Sequence, residues 1–235
     1  MIFNTLMILL QNIIASNYHY QPSWVMIIIA LSVMILGYLF SAFKTRFNAF
    51  LKTVFTIRIG NQISHEEYSL SHPTAIFLSI NFLITAPLFI LQAISSKKIS
   101  LSFVDFSFLS YLLIVGFVLA VYLVKILSLK IIGYIFNSPS ATSEYIFLIF
   151  LINQIIGIGF IPIILFIAYG KESFTNGFVY AGITLFILAY FVRIGKGAIT
   201  ALYSRKISVF YLFLYLCAFE ILPLLLGVKL FDKLV

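Results

Sequence analysis

The chain has 235 residues, of which 63% are hydrophobic and 9% charged. Soluble domains hold roughly 45–50% apolar and about 25% charged residues, so a soluble globular domain, a disordered chain and a secreted disulfide scaffold are all excluded. The net charge of +8, from 15 Lys and Arg against 7 Asp and Glu, indicates loops that face anionic lipid and not nucleic acid, because no basic run lies outside a short loop.

The opening stretch 1–16 carries Ile2, Phe3, Leu6, Met7, Leu10, Ile13 and Ile14 at helical spacing, with Asn4, Gln11 and Asn12 elsewhere. No Lys or Arg and no small-residue cleavage site mark it as a signal peptide, so it reads as an interfacial helix. Apolar stretches long enough to cross a hydrocarbon core, which takes about 20 residues, follow near 24–43, 74–92, 106–124, 145–168, 174–194 and 208–228. Tyr18, Tyr20 and Trp24 form an aromatic belt at the first span, Pro73 opens the second, and the third has room to continue to Phe136 as a helix leaving the membrane. The fold expected is an all-α bundle of six spans in one membrane domain covering 1–235.

Counting basic residues by side orients that bundle. With the N-terminus outside, Lys44, Arg46, Lys52, Arg58, Lys125, Lys130, Arg193, Lys196, Arg205 and Lys206 lie inside, while Lys97, Lys98, Lys171, Lys229 and Lys233 lie outside. The excess predicts both termini outside the cytoplasm. Within the longest loop, segment 43–58 places Phe43, Phe47, Phe50, Leu51, Val54, Phe55 and Ile57 on one helical face and Lys44, Asn48 and Lys52 on the other, with Arg46 at the boundary. Such a helix lies flat on the cytoplasmic leaflet, as a connector or a docking surface.

Chemistry-bearing residues are few. Glu220 sits near mid-depth in the sixth span, where an ionised side chain costs at least about 2.5–3.5 kcal/mol and so must face the bundle interior or water. It reads either as a proton- or ion-handling carboxylate or as a hydrogen-bond partner of Asn81, Asn153, Gln154 or a tyrosine. Pro223, three residues on, removes a backbone donor and frees carbonyls near Glu220. Each even-numbered span carries a polar residue followed by proline, as Asn81 with Pro87, Asn153 and Gln154 with Pro162, and Glu220 with Pro223. Asn153 and Gln154 also fit as glue between helices. Lys125 and Arg193, at cytoplasmic span ends, are expected to snorkel to headgroups in preference to pairing with Glu220. Gly116-x-x-x-Ala120 permits close helix approach.

Enzyme signatures are not found. His65-Glu66-Glu67 with His72 lacks the i, i+4 pair of a zinc protease helix, Gly195-Lys196-Gly197 lacks P-loop spacing, and no second intramembrane acid accompanies Glu220. The single cysteine, Cys217, lies in an apolar run and forms neither an internal disulfide nor a metal cluster. No cofactor and no metal are expected.

The stretch Tyr215-Leu-Cys-Ala-Phe-Glu-Ile-Leu-Pro223, together with Arg193 and the basic pair Arg205-Lys206 ahead of it, resembles the closing signature of an uncharacterised family. That family comprises small multi-span inner-membrane proteins of Bacteroidota, described only as a domain of unknown function. The resemblance implies an inner-membrane location and a bundle of six to seven helices, and it implies no activity.

The reading that follows is a non-enzymatic inner-membrane component of the cell envelope that binds a protein partner or lipid. Lys44, Arg46, Lys52, Lys125, Arg193, Arg205 and Lys206 are the candidate contacts, and Glu220, Pro223, Asn81, Asn153 and Gln154 are the candidate polar core. Its partners are anionic headgroups and other inner-membrane proteins. The alternatives are a small proton- or ion-coupled transporter or channel centred on Glu220, and a membrane enzyme of unknown type.

Overall fold

The computed structural model describes residues 22–44, 73–96, 106–135 and 139–203. These residues are almost wholly helical, with no strand among them: α1 (Ser23–Ala42), α2 (Pro73–Ser96), α3 (Phe108–Ile135), α4 (Pro139–Tyr169) and α5 (Glu172–Tyr203). All five are long and apolar enough to cross a membrane. The segments 1–16 and 208–228, and all of 43–58 beyond Lys44, lie outside the described residues.

Helicity follows from the medium. With no water to take up free N–H and C=O groups, each segment must satisfy its own backbone, and a helix does so locally. Pro73 and Pro139 sit in first turns, where the missing N–H has no partner to lose. Pro87 and Pro162 lie inside α2 and α4 without ending them, as membrane helices tolerate.

Side-chain contacts set the direction of every helix. Trp24 at the start of α1 packs on Phe106, Phe108 and Tyr111 at the start of α3, so α1 and α3 run parallel. Tyr38 near the end of α1 meets Phe77 near the start of α2, which sets that pair antiparallel. Gly133 faces Thr142 across the α3–α4 connection, and Phe166 stacks on Phe178 across the α4–α5 connection. The helices therefore alternate in direction along the chain.

The middle of the bundle is formed by α2 and α4, which run parallel. Gln154 meets Ala75 and Ser79, Gly157 meets Phe82, and Phe160 stacks on Phe89 with ring centroids 4.5 Å apart. Most of the spanning stretch of both helices is buried, whereas α3 and α5 bury little of theirs. Phe82, Leu88 and Phe89 from α2 join Ile156, Phe160 and Ile164 from α4, with Val25, Tyr111 and Val179 contributed by the outer helices. Large apolar residues such as Met34, Leu113, Phe117, Phe186 and Phe191 are exposed on those outer helices and form a lipid-facing shell. Lipid is as apolar as a leucine core, so shape complementarity and polar contacts hold such helices together more than apolar burial does.

Close approach falls at glycines other than the pair expected. Nothing described lies within 4 Å of a Cβ placed on Gly116, and Ala120 is exposed. At Gly157 a Cβ would sit 2.8 Å from the Phe82 Cα, and at Gly182 it would sit 2.2 Å from the Phe89 ring. A lone glycine facing a backbone in another segment leaves no small-xxx-small spacing to find.

Length adds a second finding. At about 1.5 Å per residue, α3 with 28 residues and α4 with 31 exceed the roughly 30 Å hydrocarbon core by about 12–16 Å. The end of α3 and the start of α4 lie together at the Gly133–Thr142 contact, far from the Trp24 aromatic cluster, so the excess projects from one end of the bundle. There Leu129, Tyr145, Ile146 and Ile149 make a small core of their own. With 32 residues, α5 also extends past its apolar stretch at this end.

Candidate functional site

The polar side chains of the spans converge on the α2–α4 seam. Gln154 is nearly fully buried and its Nε2 donates to the Ala75 carbonyl at 2.9 Å and to the Ser79 hydroxyl at 3.0 Å. It thereby ties α4 to the first turns of α2. Ser79 itself donates to the Ala75 carbonyl at 2.8 Å, so three groups close a small network. One helical turn and a half further on, the Thr85 hydroxyl donates to the Asn81 carbonyl at 2.8 Å and lies 3.3 Å from the Gly157 carbonyl. Interhelical hydrogen bonds of this kind contribute about 0.6 kcal/mol on average.

Asn153 faces the outer helices. Its Oδ1 accepts a hydrogen bond from the Arg193 guanidinium, and its side chain also hydrogen-bonds Tyr122, on which the Arg193 charge acts. Three helices, α3, α4 and α5, therefore meet in one chain of guanidinium, amide and phenol. Arg193, expected at the headgroups, reaches Asn153 with one guanidinium nitrogen. A helical side chain leans toward the N-terminus of its own helix, which carries the Arg193 head into the bundle and onto Asn153. Only part of its donor set is used, since the buried Arg193 Nε has no partner among the described residues.

Two further amides are sealed in without partners. Asn81 is fully buried and Gln92 nearly so, and neither amide oxygen nor nitrogen of either residue finds a hydrogen bond among the described residues. Ser32 on α1 is in the same condition. Asn81 and Gln92 are about three turns apart on one face of α2. Leaving such groups unpaired costs on the order of 1–3 kcal/mol each, so this stripe is where the bundle is polar at its own expense.

The charged candidates divide by position. Lys44, at the end of α1, holds its ammonium 5.8 Å from the centre of the Phe40 ring, a cation–π contact. Lys125 is half-buried on α3 and Lys130 is exposed a turn later. Glu220, Pro223, Arg46, Lys52, Arg205 and Lys206 lie outside the described residues. Among the described residues, no three His, Cys, Asp or Glu cluster as a metal site would need.

The family described as a domain of unknown function (DUF4271) matches residues 25–231. The chain belongs to this family. The match takes in α1 from Val25 and the other four helices whole, and continues through the apolar stretch 208–228 that carries Glu220. No curated protein and no solved structure matches the chain.

Sequence reasoning singled out Asn81, Asn153 and Gln154, and passed over Tyr122, Thr85, Ser79, Ser32 and Gln92. Hydroxyls in membrane helices commonly bond their own backbone, and Tyr122 is one of 14 tyrosines, so neither signals an interhelical role. Gln92 was placed at a span boundary and is instead a buried residue within α2.

Proposed function

We propose that this DUF4271 protein is a non-enzymatic component of a Bacteroidota inner membrane that binds a protein partner or anionic lipid at one end of its bundle. The observation that carries the reading is the one-sided distribution of charge on the helices. Lys44, Lys125, Lys130, Arg193 and Lys196 belong to the end from which α3, α4 and α5 project, as does Glu144 by its place early in α4, whereas Lys171 is the basic residue described at the opposite end. Basic residues gather on the cytoplasmic side of membrane proteins. This supports a cytoplasmic assignment for the projecting end and a periplasmic one for the start of α1. A helical hairpin that leaves the hydrocarbon among lysines offers a surface for acidic headgroups or for an acidic partner.

Native mass spectrometry after extraction in mild detergent tests this. The wild type is expected to retain anionic phospholipid or a stoichiometric protein partner. Replacing Lys44, Lys125 and Lys130 together by glutamine removes that species without changing the elution volume of the protein. A bare monomer that carries neither in the wild type sinks the reading.

A second reading, a small proton- or ion-coupled transporter, is favoured by the unpartnered Asn81 and Gln92 amides. Buried polar groups in a membrane bundle are costly and commonly mark a pathway. Under it, Glu220→Gln abolishes gradient-driven flux in proteoliposomes while the protein stays folded. Unchanged flux, or none with any ion gradient, removes it.

A further inference from the structure

Ser32 and Asn81 are polar residues that two neighbouring helices bring to one height. On α1, Val25, Ser32 and Leu39 recur every seven residues and so share one line of the helix. All three are buried, Ser32 at 1% exposure. On α2, Leu78, Asn81 and Thr85 share a face at helical spacing and are buried too, Asn81 at 0%. Tyr38 lies against Phe77, and Leu39 packs with Leu78, which fixes the antiparallel register. Ser32 is six residues before Tyr38 and Asn81 four beyond Phe77, or about 9 Å and about 6 Å along their helices. The two therefore sit within about 3 Å of the same height.

Helices α1, α2 and α4 enclose this point. On one side of it lies the layer of Leu39, Leu78 and Leu151, and on the other Ile28, Phe82 and Ile156. Within that apolar surround the Ser32 hydroxyl bonds neither its own backbone nor Asn81. Neither the oxygen nor the nitrogen of the Asn81 amide has a partner among the described residues. A hydroxyl and an amide placed so need a molecule that both donates and accepts. An ion of either sign serves half of the amide and leaves the other half unpaired, and charge at this depth is costly. Water does both. An interior water typically makes about three hydrogen bonds to buried polar groups, and Ser32 Oγ, Asn81 Oδ1 and Asn81 Nδ2 are the atoms to supply them.

We propose that the Ser32 hydroxyl and the Asn81 amide together hold a bound water molecule, an internal hydration site that ties α1 to the α2–α4 pair. The site belongs to the packed bundle and stands whether the protein binds a partner or moves an ion. Gln92, about 16 Å further along α2 and level with Val25, shares no water with Ser32.

Two measurements on the full chain test the site. In lipid bilayers with isotope-labelled asparagine, water-edited solid-state NMR at short mixing times is expected to carry magnetisation from water to the Asn81 side-chain amide. That resonance is the one that disappears in Asn81→Asp. Ser32→Val removes the hydroxyl and fills its space, and is expected to weaken the transfer at least about threefold. No transfer in the wild type, or equal transfer in Ser32→Val, overturns the site.

Thermal unfolding in mild detergent supplies an independent sign. Asn81→Leu removes the amide at similar volume, and with an unpaired amide it would raise the midpoint by removing a buried polar group. With the water bound, Asn81→Leu and Ser32→Ala are each expected to lower the midpoint by about 2–4 °C. The double variant is expected to fall clearly less than the sum, since both changes lose the same water. The cycle of Ser32→Ala with Gln92→Leu is expected to be additive. A raised midpoint for Asn81→Leu, additivity with Ser32, or coupling of Ser32 to Gln92 overturns the shared water.

Discussion

Gly157→Leu is expected to leave no folded bundle, and Gly157→Ala to lower its stability by about 1–3 kcal/mol, the usual cost of overpacking. The reason is what the new carbon meets. Its nearest neighbours are the Cα and N of Phe82 at 2.8 and 3.1 Å, and backbone atoms of a packed helix cannot rotate aside as a side-chain tip can. The α2–α4 seam would have to open, and the Thr85 approach to the Gly157 carbonyl and the Gln154 bridge to Ala75 and Ser79 would stretch with it. A thermal midpoint in mild detergent, read by the loss of the monodisperse size-exclusion peak, measures the effect. A Gly157→Ala midpoint equal to that of the wild type contradicts the close approach.

The second large effect is expected at Gly182, and here it should be reversible by design. A Cβ at Gly182 would lie 2.2 Å from the ring of Phe89, which is stacked on Phe160 on its other side. The ring is therefore held between α4 and α5 with nowhere to move. Gly182→Ala alone is expected to cost about 1–3 kcal/mol. Adding Phe89→Leu removes the obstructing ring carbons, so the double variant should recover at least about half of that loss, although Phe89→Leu by itself destabilises by opening a gap. Such compensation is the signature of two residues in direct contact. A double variant that is merely the sum of the two singles would place Phe89 elsewhere.

That the described stretches form helices long and apolar enough to cross a membrane was legible in the sequence because apolar length is a property of each segment alone. Trp24, Pro73 and the run to Ile135 each announce themselves without reference to a neighbour. What the sequence left open is which faces meet. Gly116 and Ala120 have the spacing of a contact and make none that is described, while Gly157 and Gly182 lack it and sit against another helix. Asn153 was legible as polar and buried, but its partners, Tyr122 and Arg193, come from two other helices and depend on the way α3 and α5 flank α4. The position of Arg193 at a span end is visible in the sequence, and its bond to Asn153 is a matter of three-dimensional direction.

The parallel pairing of α2 with α4 has a consequence for how the chain is made. The two halves of the Gln154 bridge are 75 and 79 residues apart. At synthesis rates of about 5–20 residues per second, α2 enters the membrane roughly 4–16 seconds before the helix that covers it exists, with α3 inserted in between. During that interval Ser79, Asn81 and Thr85 face lipid or the insertion machinery in place of α4. A nascent chain halted before residue 139 should therefore remain bound to its insertase, and release should follow the emergence of α4.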